Sequence, residues 1–212
     1  MTPMEHALVY LLKARYLGGS TGARLYETPE GKFVGKRGAS PAHIQNEFDM
    51  NRYLNELGVP VPDARMVGGE MLTNYEGDEE LGYNVSRDDL TQLSRDFVPH
   101  AVLANWDMIG MNADNVVRRP DGTLSYVDVG GAGAFRAQGA PKGAAFGTSV
   151  GELDTMRQKN PHFLTMPESR LGQSFDHYGG ESAMTDALKV IRDAQTRNIL
   201  QQRIQDAARR IA

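Results

Sequence analysis

Residues 17–36 read LGGSTGARLYETPEGKFVGK, and this stretch decides the fold class. It holds a glycine-rich turn over residues 17–23, a segment ending at Thr28, the tight turn Pro29-Glu-Gly31 and a second segment ending at Lys36. Glycine and proline at such positions are typical of turns that separate short strands. The pattern predicts a β-hairpin with a flexible glycine turn at its entrance.

The glycine-rich turn is a candidate phosphate-binding loop. Its central residues are Gly18, Gly19, Ser20, Thr21 and Gly22. Glycines let backbone amides approach an anion closely and adopt backbone angles that other residues avoid. The turn lacks the Gly-Lys-Ser/Thr ending of a Walker A loop, and a plain structural turn is the alternative interpretation.

A helix is expected directly after the strand that ends at Lys36. Ser40 is a typical N-cap and Pro41 a typical first helical residue, while Gly58 and Pro60 predict the end of the helix.

Glu47 falls on the apolar face of this helix, three residues after Ile44 and seven before Leu54. A carboxylate on a buried face is costly unless a cation meets it, and Lys36 on the preceding strand supplies one. We therefore expect an ion pair between Lys36 and Glu47. The alternative is that Glu47 lies at the edge of the face and reaches solvent.

The rest of the chain divides into further predicted elements. Two short strands are expected between residues 61 and 72, and the polar loop over residues 73–82 is the candidate boundary between two lobes. Residues 86–103 have the spacing of a core helix that Pro99 should kink or restart. Residues 184–212 are expected to form one or two terminal helices.

A second hairpin is predicted around the turn Pro120-Asp-Gly122. Asn115 starts its first strand and Asp128 ends its second, so that their oxygens could be paired ligands for magnesium. Asp107, on the loop that enters the hairpin, could accept or orient the hydroxyl proton of a substrate. Taken singly, each of these residues is better explained as a cap or turn residue.

The order of these features resembles that of the protein-kinase-like superfamily. The resemblance covers about residues 15–143 and is greatest to minimal bacterial and phage-associated, effector-type kinases, with a more distant likeness to type II phosphatidylinositol 4-kinases. It implies an α+β, reduced bilobal fold with a small antiparallel-sheet N-lobe containing one helix and a mainly helical C-lobe. A single kinase-like domain would span residues 1–212, with the N-lobe to about residue 75 and the C-lobe from about residue 76.

The resemblance also implies roles for the residues singled out above. The glycine loop would bind nucleotide phosphates together with the Lys36–Glu47 pair, and Asp107 would be the catalytic aspartate. Asn115 and Asp128 would hold magnesium. ATP and magnesium are therefore the expected cofactors.

Two assignments depend on the alignment of this chain with the kinase pattern. Residues 71–75 would be the hinge beside the adenine, with Met71 and Thr73 as nucleotide contacts. Protein kinases place an asparagine five residues after the catalytic aspartate, where this chain has Asn112, yet Asn115 is the asparagine followed by an apolar strand. We take Asn115 as the metal ligand and keep Asn112 as the alternative.

The function implied by the resemblance is ATP- and magnesium-dependent phosphoryl transfer to a protein hydroxyl, with serine or threonine favoured. The alternatives are a small-molecule or lipid kinase, a nucleotide-binding pseudokinase and an adenylyltransferase. Arg136 and Lys142, in the basic segment after Asp128, are candidate contacts to phosphate or substrate. Trp106 is expected to be a packing anchor.

Composition excludes several classes of function. A formal net charge of −4 argues against general nucleic-acid binding. No apolar run approaches the length of a membrane span, and the lack of cysteine excludes disulfides and thiolate metal sites. We expect a soluble protein, cytoplasmic or secreted into a host cell, whose partners are ATP and a protein substrate; the oligomeric state stays open.

Overall fold

The computed structural model describes residues 14–18, 22–77 and 79–212. A five-stranded antiparallel sheet occupies the N-terminal part, a two-stranded sheet follows in the middle, and helices dominate the C-terminal part. The predicted α+β class is thus confirmed.

The N-terminal sheet has five strands: Arg15–Gly18 (β1), Ala23–Thr28 (β2), Gly31–Lys36 (β3), Ala64–Val67 (β4) and Glu70–Asn74 (β5). Their order across the sheet is β1-β2-β3-β5-β4. The predicted hairpin is confirmed as β2 and β3, and two strands also form near residues 61–72, with the second extending to Asn74.

Helix α1, Pro41–Glu56, packs against one face of this sheet. Ser40 caps it as predicted, because its hydroxyl accepts a hydrogen bond of 3.1 Å from the backbone N–H of His43. Ile44 and Phe48 on the helix form a small apolar cluster with Met71 of β5. This packing turns the face that carries Glu47 toward β3.

Helix α2, Arg87–Val102, runs through Pro99 as one element, so it does not restart there. Proline lacks the N–H that would bond the carbonyl of Arg95. The hydroxyl of Ser174, on a later helix, donates to that carbonyl at 2.6 Å instead. The carbonyl of Arg95 thus has a hydrogen-bond donor from a distant helix, which the local sequence does not indicate.

The second predicted hairpin is also confirmed, with strands β6, Val116–Arg118, and β7, Leu124–Tyr126. The remaining helices are Glu152–Lys159 (α3), Ser169–His177 (α4), Gly180–Ala187 (α5) and Ala194–Ile211 (α6), and short 3₁₀ turns lie at Gly143–Ala145 and Leu188–Val190. Within the described ranges no helix combines the length and apolar character that crossing a membrane requires.

A buried polar network fixes the second hairpin to the helices. The hydroxyls of Tyr126 and Tyr178 both donate to the carboxylate of Asp96 on α2, at 3.0 and 2.5 Å. Arg95 completes the network by an ion pair with the same carboxylate. Because Tyr126 ends β7, the network also fixes the start of the loop that carries Asp128.

Candidate active site

Three charged residues meet at one point: Lys36 at the end of β3, Glu47 in the middle of α1 and Asp128 just after β7. The Lys36 ammonium lies 3.0 Å from Glu47 Oε1 and 3.2 Å from Asp128 Oδ2, and it also donates to the carbonyl of Val127. Lys36 and Glu47 are buried, whereas the Asp128 side chain remains 37% exposed. The ammonium therefore joins the sheet, the helix and the second hairpin at one point.

The charges in this cluster shift one another's pKa. Burial acts to lower the pKa of Lys36, but the charges of Asp128 and Glu47 outweigh burial and raise it above the usual lysine value. Burial acts to raise the pKa of Asp128, but Lys36 and the N–H of Gly130 outweigh burial and hold it below the usual range. Burial raises the pKa of Glu47. Lys36 is thus a cation, and Asp128 an anion, at neutral pH.

The loop after Asp128 approaches the cluster closely through Gly130. Its N–H donates to Asp128 Oδ1 at 2.9 Å, and a Cβ at this position would lie 3.1 Å from Glu47 Oε2. The ring of His43 accepts from the N–H of Ala39 through Nδ1, so its Nε2–H donates to the carbonyl of Gly130 at 3.1 Å. The helix that carries Glu47 therefore also holds the loop that carries Asp128.

Asp107 and Asn115 lie on one compact loop. The Asn115 side-chain amide donates to the backbone carbonyl of Asp107 at 2.7 Å, which leaves the Asn115 side-chain oxygen for a ligand. Burial, followed by the charge of Asp128, raises the pKa of Asp107. The loop turns at Gly110, which has φ +82° and where a Cβ would lie 2.2 Å from Asp114 Oδ1. Any other residue would be strained at this positive φ and would displace the Asp114 carboxylate.

The oxygen donors here fit magnesium bound to a nucleotide. Asp128 offers an ionised, partly exposed carboxylate, and Asn115 offers an amide oxygen. In the part of the chain that the structure describes, no group of three or more His, Asp or Glu side chains forms a metal cage. That pattern suits Mg²⁺, which usually takes one or two protein carboxylates and completes its shell with phosphates and water.

A cleft of about 340 Å³ lies beside this cluster, between the N-terminal sheet and the second hairpin. Lys36, Asn115 and Asp128 line it, together with further polar residues that include Glu76, Glu80 and Asp114. Its apolar walls suit a flat ring system; they are formed by Leu17, Ala23, Val34, Val117 and Val127.

The glycine loop falls partly outside the described residues, which exclude Gly19, Ser20 and Thr21. Gly18 ends β1, and Gly22 has the positive φ of +69° that favours glycine. Their outer neighbours Leu17 and Ala23 both line the cleft, so the loop is flanked by cleft residues on each side.

The hinge assignment needs a correction at Met71. Thr73 lines the cleft, as do Asn74 and Tyr75, but Met71 is not among its lining residues. Met71 pairs directly with Lys36 across the sheet, at the end of the inner face that α1 covers. Its side chain therefore packs into the apolar cluster of the sheet and helix rather than against a nucleotide.

Of the two candidate asparagines, the structure brings Asn115 to the cleft. Asn112 is exposed, and its side-chain oxygen accepts a hydrogen bond of 2.9 Å from the hydroxyl of Tyr83. Asp114 lines the cleft beside Asn115, and sequence reasoning gave it no role. Its position directly before Asn115, at the start of the strand, could have indicated that it lies in the cleft.

The expectation for Trp106 is wrong, and neither of the two basic candidates, Lys142 and Arg136, lines the cleft. Trp106 is 44% exposed, with the Lys159 ammonium 5.8 Å from its ring centroid, so it is not a packing anchor. The Lys142 ammonium donates to three backbone carbonyls. Arg136, the other basic candidate, is exposed and absent from the lining of the cleft.

Comparison with known proteins gives structural matches only. No family model matches the chain, and no curated protein matches it. The structure of the Helicobacter pylori proinflammatory kinase CtkA superposes with a TM-score of 0.54 at 11% identity, covering 93% of this chain and 94% of that one. LicA in complex with AMP matches with a TM-score of 0.40 at 13% identity, covering 100% and 89%. Choline kinase LicA from Streptococcus pneumoniae gives 0.37 at 12%, covering 98% and 87%.

The likeness to CtkA shows the fold. The expected reduced, bilobal, protein-kinase-like fold is confirmed at that level. The narrower likeness to effector-type kinases and to type II phosphatidylinositol 4-kinases stays a prediction.

Proposed function

We propose that this protein is an ATP- and magnesium-dependent phosphotransferase. The observation that carries the proposal is the contact of Lys36 with both Glu47 and Asp128, at 3.0 and 3.2 Å, in a cleft that Asn115 also lines. A buried lysine held by one carboxylate, beside a second that stays partly exposed, suits binding of nucleotide phosphates with their metal. The fold shared with a protein described as a kinase supports the same proposal.

The chain's own residues suffice for the steps that such a transfer needs. Lys36 binds and orients the phosphates, and Glu47 holds Lys36 in place. Asp128 and Asn115 would hold magnesium, which supplies neutralisation of phosphate charge when bound. Asp107 accepts the proton of the acceptor hydroxyl. The hydroxyl oxygen of the acceptor bonds to the γ-phosphorus, and the bond between the γ-phosphorus and the oxygen bridging to the β-phosphate breaks, which releases ADP. The raised pKa of Asp107 makes it a better base for this role.

We further propose that the acceptor is a protein hydroxyl, with serine or threonine favoured. Asp107 does not line the nucleotide cleft, and two exposed apolar side chains lie on its loop: Trp106 at 44% and Met111 at 92% exposure. Exposed apolar side chains beside the candidate base suit contact with a large partner that carries the acceptor hydroxyl. A small-molecule or lipid kinase and an adenylyltransferase are the alternatives, since the same cluster can bind a nucleotide in each.

ATP labelled on either the γ or the α phosphate tests the proposal. We expect transfer of the γ label to protein acceptors, with magnesium required. Transfer of the α label would instead identify an adenylyltransferase, and nucleotide binding without any transfer would identify a pseudokinase. Transfer of the γ label only to small hydroxyl compounds or lipids would contradict the proposal of a protein acceptor but would still support phosphotransferase activity.

The matched variants Asp107→Asn and Asn112→Ala locate the chemistry. Asp107→Asn should lower turnover by roughly 10²-fold or more and leave nucleotide affinity near that of the parent, because proton acceptance follows nucleotide binding. Asn112→Ala, on the same loop but away from the cleft, should retain turnover. Full turnover of Asp107→Asn would remove Asp107 from the proposed site.

A further inference from the structure

A second cavity, of about 680 Å³, lies apart from the nucleotide cleft. It is bounded by α1, by the segment over residues 134–146 and by the start of α6, and it shares no lining residue with the cleft. Asn46 on α1 fixes the first two walls, since its side chain donates to the carbonyl of Ala132 and accepts from the N–H of Ala134. The cavity therefore lies between α1 and a segment that these hydrogen bonds hold against it.

Asp49 is a buried carboxylate in the wall of this cavity, with only 3% of the residue exposed. Its two oxygens accept one hydrogen bond each, from the Gln45 side-chain amide at 2.8 Å and from the backbone N–H of Arg192 at 2.9 Å. Both donors are neutral amides. An ionised carboxylate can accept about four hydrogen bonds, so acceptor capacity remains.

Asp49 differs from the other buried carboxylates of the described residues, because each of those forms an ion pair. Among the ion pairs of the described chain, none within 4 Å involves Asp49. The paired carboxylates are Glu47 with Lys36, Glu70 with Arg37, Asp89 with Arg118, Asp96 with Arg95 and Glu152 with Arg203. The one cationic side chain among the described residues that line the cavity, Arg192, donates to Gln45 Oε1 at 3.3 Å and forms no ion pair with Asp49. A buried carboxylate without a paired cation is costly, so a cation on the cavity side would be favoured.

We propose that this cavity binds a small organic cation, with an ammonium or guanidinium group at Asp49 and an apolar body in the remaining space. The apolar body would pack on Met50, Phe146 and Ile199, which line the cavity. The volume lies within the range of small-molecule sites, which are mostly apolar with a few placed polar groups. Asp49 thus supplies the charge complementary to the ligand, and the cavity supplies room for its apolar body.

Calorimetric titration with 4-phenylbutylamine tests this site, with 4-phenylbutan-1-ol as the neutral partner of similar shape. We expect the amine to bind and the alcohol to bind at least about 10-fold more weakly, because only the amine offers a charged donor. Binding does not depend on the proposed phosphoryl transfer, so failure here and failure of that activity are separate results.

Two variants locate the ligand. Asp49→Asn should weaken amine binding by about 10-fold or more, whereas Asp88→Asn, an exposed aspartate on α2, makes the same charge change and should leave it unchanged. Ile199→Trp fills the cavity from the opposite wall and should also abolish binding, which keeps the test available if Asp49→Asn does not fold.

Three results would overturn the proposal. They are equal binding of the amine and the alcohol, amine binding that survives Ile199→Trp in the folded protein, and no binding of the amine by the folded parent. Binding of an arginine-containing peptide without binding of the amine would assign the cavity to a protein partner and would also overturn the small-molecule site.

Discussion

At the scale of single residues, Lys36 has a structural and a chemical role that one substitution cannot separate. Its ammonium is the counter-charge of the fully buried Glu47 as well as the candidate phosphate ligand. Removing one partner of a buried pair leaves the other charge uncompensated, which commonly costs about 3 kcal/mol or more. An inactive Lys36 variant alone would therefore not identify a nucleotide contact.

The double variant Lys36→Met with Glu47→Gln separates these roles. Lys36→Met alone should lose both stability and turnover, whereas the double variant should regain much of the free energy of unfolding and remain inactive. Denaturant unfolding and the labelled-ATP assay give the two readings. The matched control is Lys32→Met, on the same strand but with a half-exposed side chain. Turnover restored in the double variant would contradict a phosphate-binding role for Lys36.

His100 is a second residue whose burial has a testable effect on stability. It is completely buried on α2, its Nδ1 lies 3.0 Å from the Asn105 side-chain amide nitrogen, and its ring lies 4.4 Å from that of Tyr126. The amide donates to a neutral ring, and a protonated ring could not accept there. Burial lowers the pKa of His100 to about 4, against the smaller opposing effect of the Asp96 charge.

This lowered pKa predicts acid sensitivity with a defined sign. Above pH about 6.5 the ring is neutral in both states, and His100 adds no pH dependence. Between about 6.5 and 4 the unfolded chain binds the proton and the folded chain does not, so the free energy of unfolding falls with falling pH, by at most about 1.4 kcal/mol per unit. Denaturant unfolding of the parent and of His100→Gln measures this, and the parent should show the steeper loss. Parallel pH profiles would contradict the assignment.

At the scale of elements, local signals predicted what local interactions build. The Ser40 cap, the β2–β3 turn and the turn at residues 120–122 are all formed within a few residues of chain, and each was predictable. The continuity of α2 through Pro99 and the burial of Met71 could not be predicted, because they depend on Ser174 and α1, which are distant in sequence. The sequence reports which partners an element needs but not which distant residue supplies them.

Lys142 connects two loops of the candidate site. Its ammonium donates to the carbonyl of Ala104 at 2.8 Å, just before the Asp107 loop, and to those of Gly131 and Gly133 at 2.7 and 3.0 Å, just after Asp128. Ala104 itself has the positive φ of +52°, which a non-glycine residue adopts only when its surroundings hold it. We expect Lys142 to position Asp107 relative to Asp128.

The lack of cysteine in the chain allows a chemical-rescue test of Lys142. Lys142→Cys should lower turnover while nucleotide affinity changes little, because only the relative placement of the two loops is lost. Alkylation with 2-bromoethylamine in denaturant, followed by refolding, creates a lysine analogue at this one thiol and should restore turnover. Lys32→Cys, treated in the same way, is the control. A loss that alkylation does not reverse would assign the defect to folding rather than to the ammonium.

At the scale of the whole molecule, the candidate site exists only after distant parts of the chain are assembled. Lys36 bonds the carbonyl of Val127, 91 residues away, and His43 bonds that of Gly130, 87 residues away. The residue types and their order were predictable, since each motif is local. Three features could not be predicted, because they depend on how the sheet and the second hairpin meet. They are the distances between the charged groups around Lys36, the bonds of Lys142 to three backbone carbonyls and the position of Asp114 in the cleft.

This assembly predicts how nucleotide should affect stability. A ligand held by both the sheet and the second hairpin binds only the native state, so ATP with magnesium should raise the apparent free energy of unfolding, by about 2.7 kcal/mol when free ligand is 100 times Kd. Thermal unfolding with ATP, with magnesium and with both separates the contributions. Removal of magnesium with EDTA should reverse most of the gain.

Asp128→Asn should abolish the magnesium-dependent part of this stabilisation, because Asp128 is the ionised carboxylate beside Lys36. Asp121→Asn is the matched control, since Asp121 lies in the exposed turn of the same hairpin and only caps that turn through Thr123. It should behave as the parent does. A thermal midpoint of the parent that stays constant with saturating ATP and magnesium would count against the cleft as a nucleotide site. Equal shifts in Asp128→Asn and the parent would leave the cleft in place but remove Asp128 as the metal ligand.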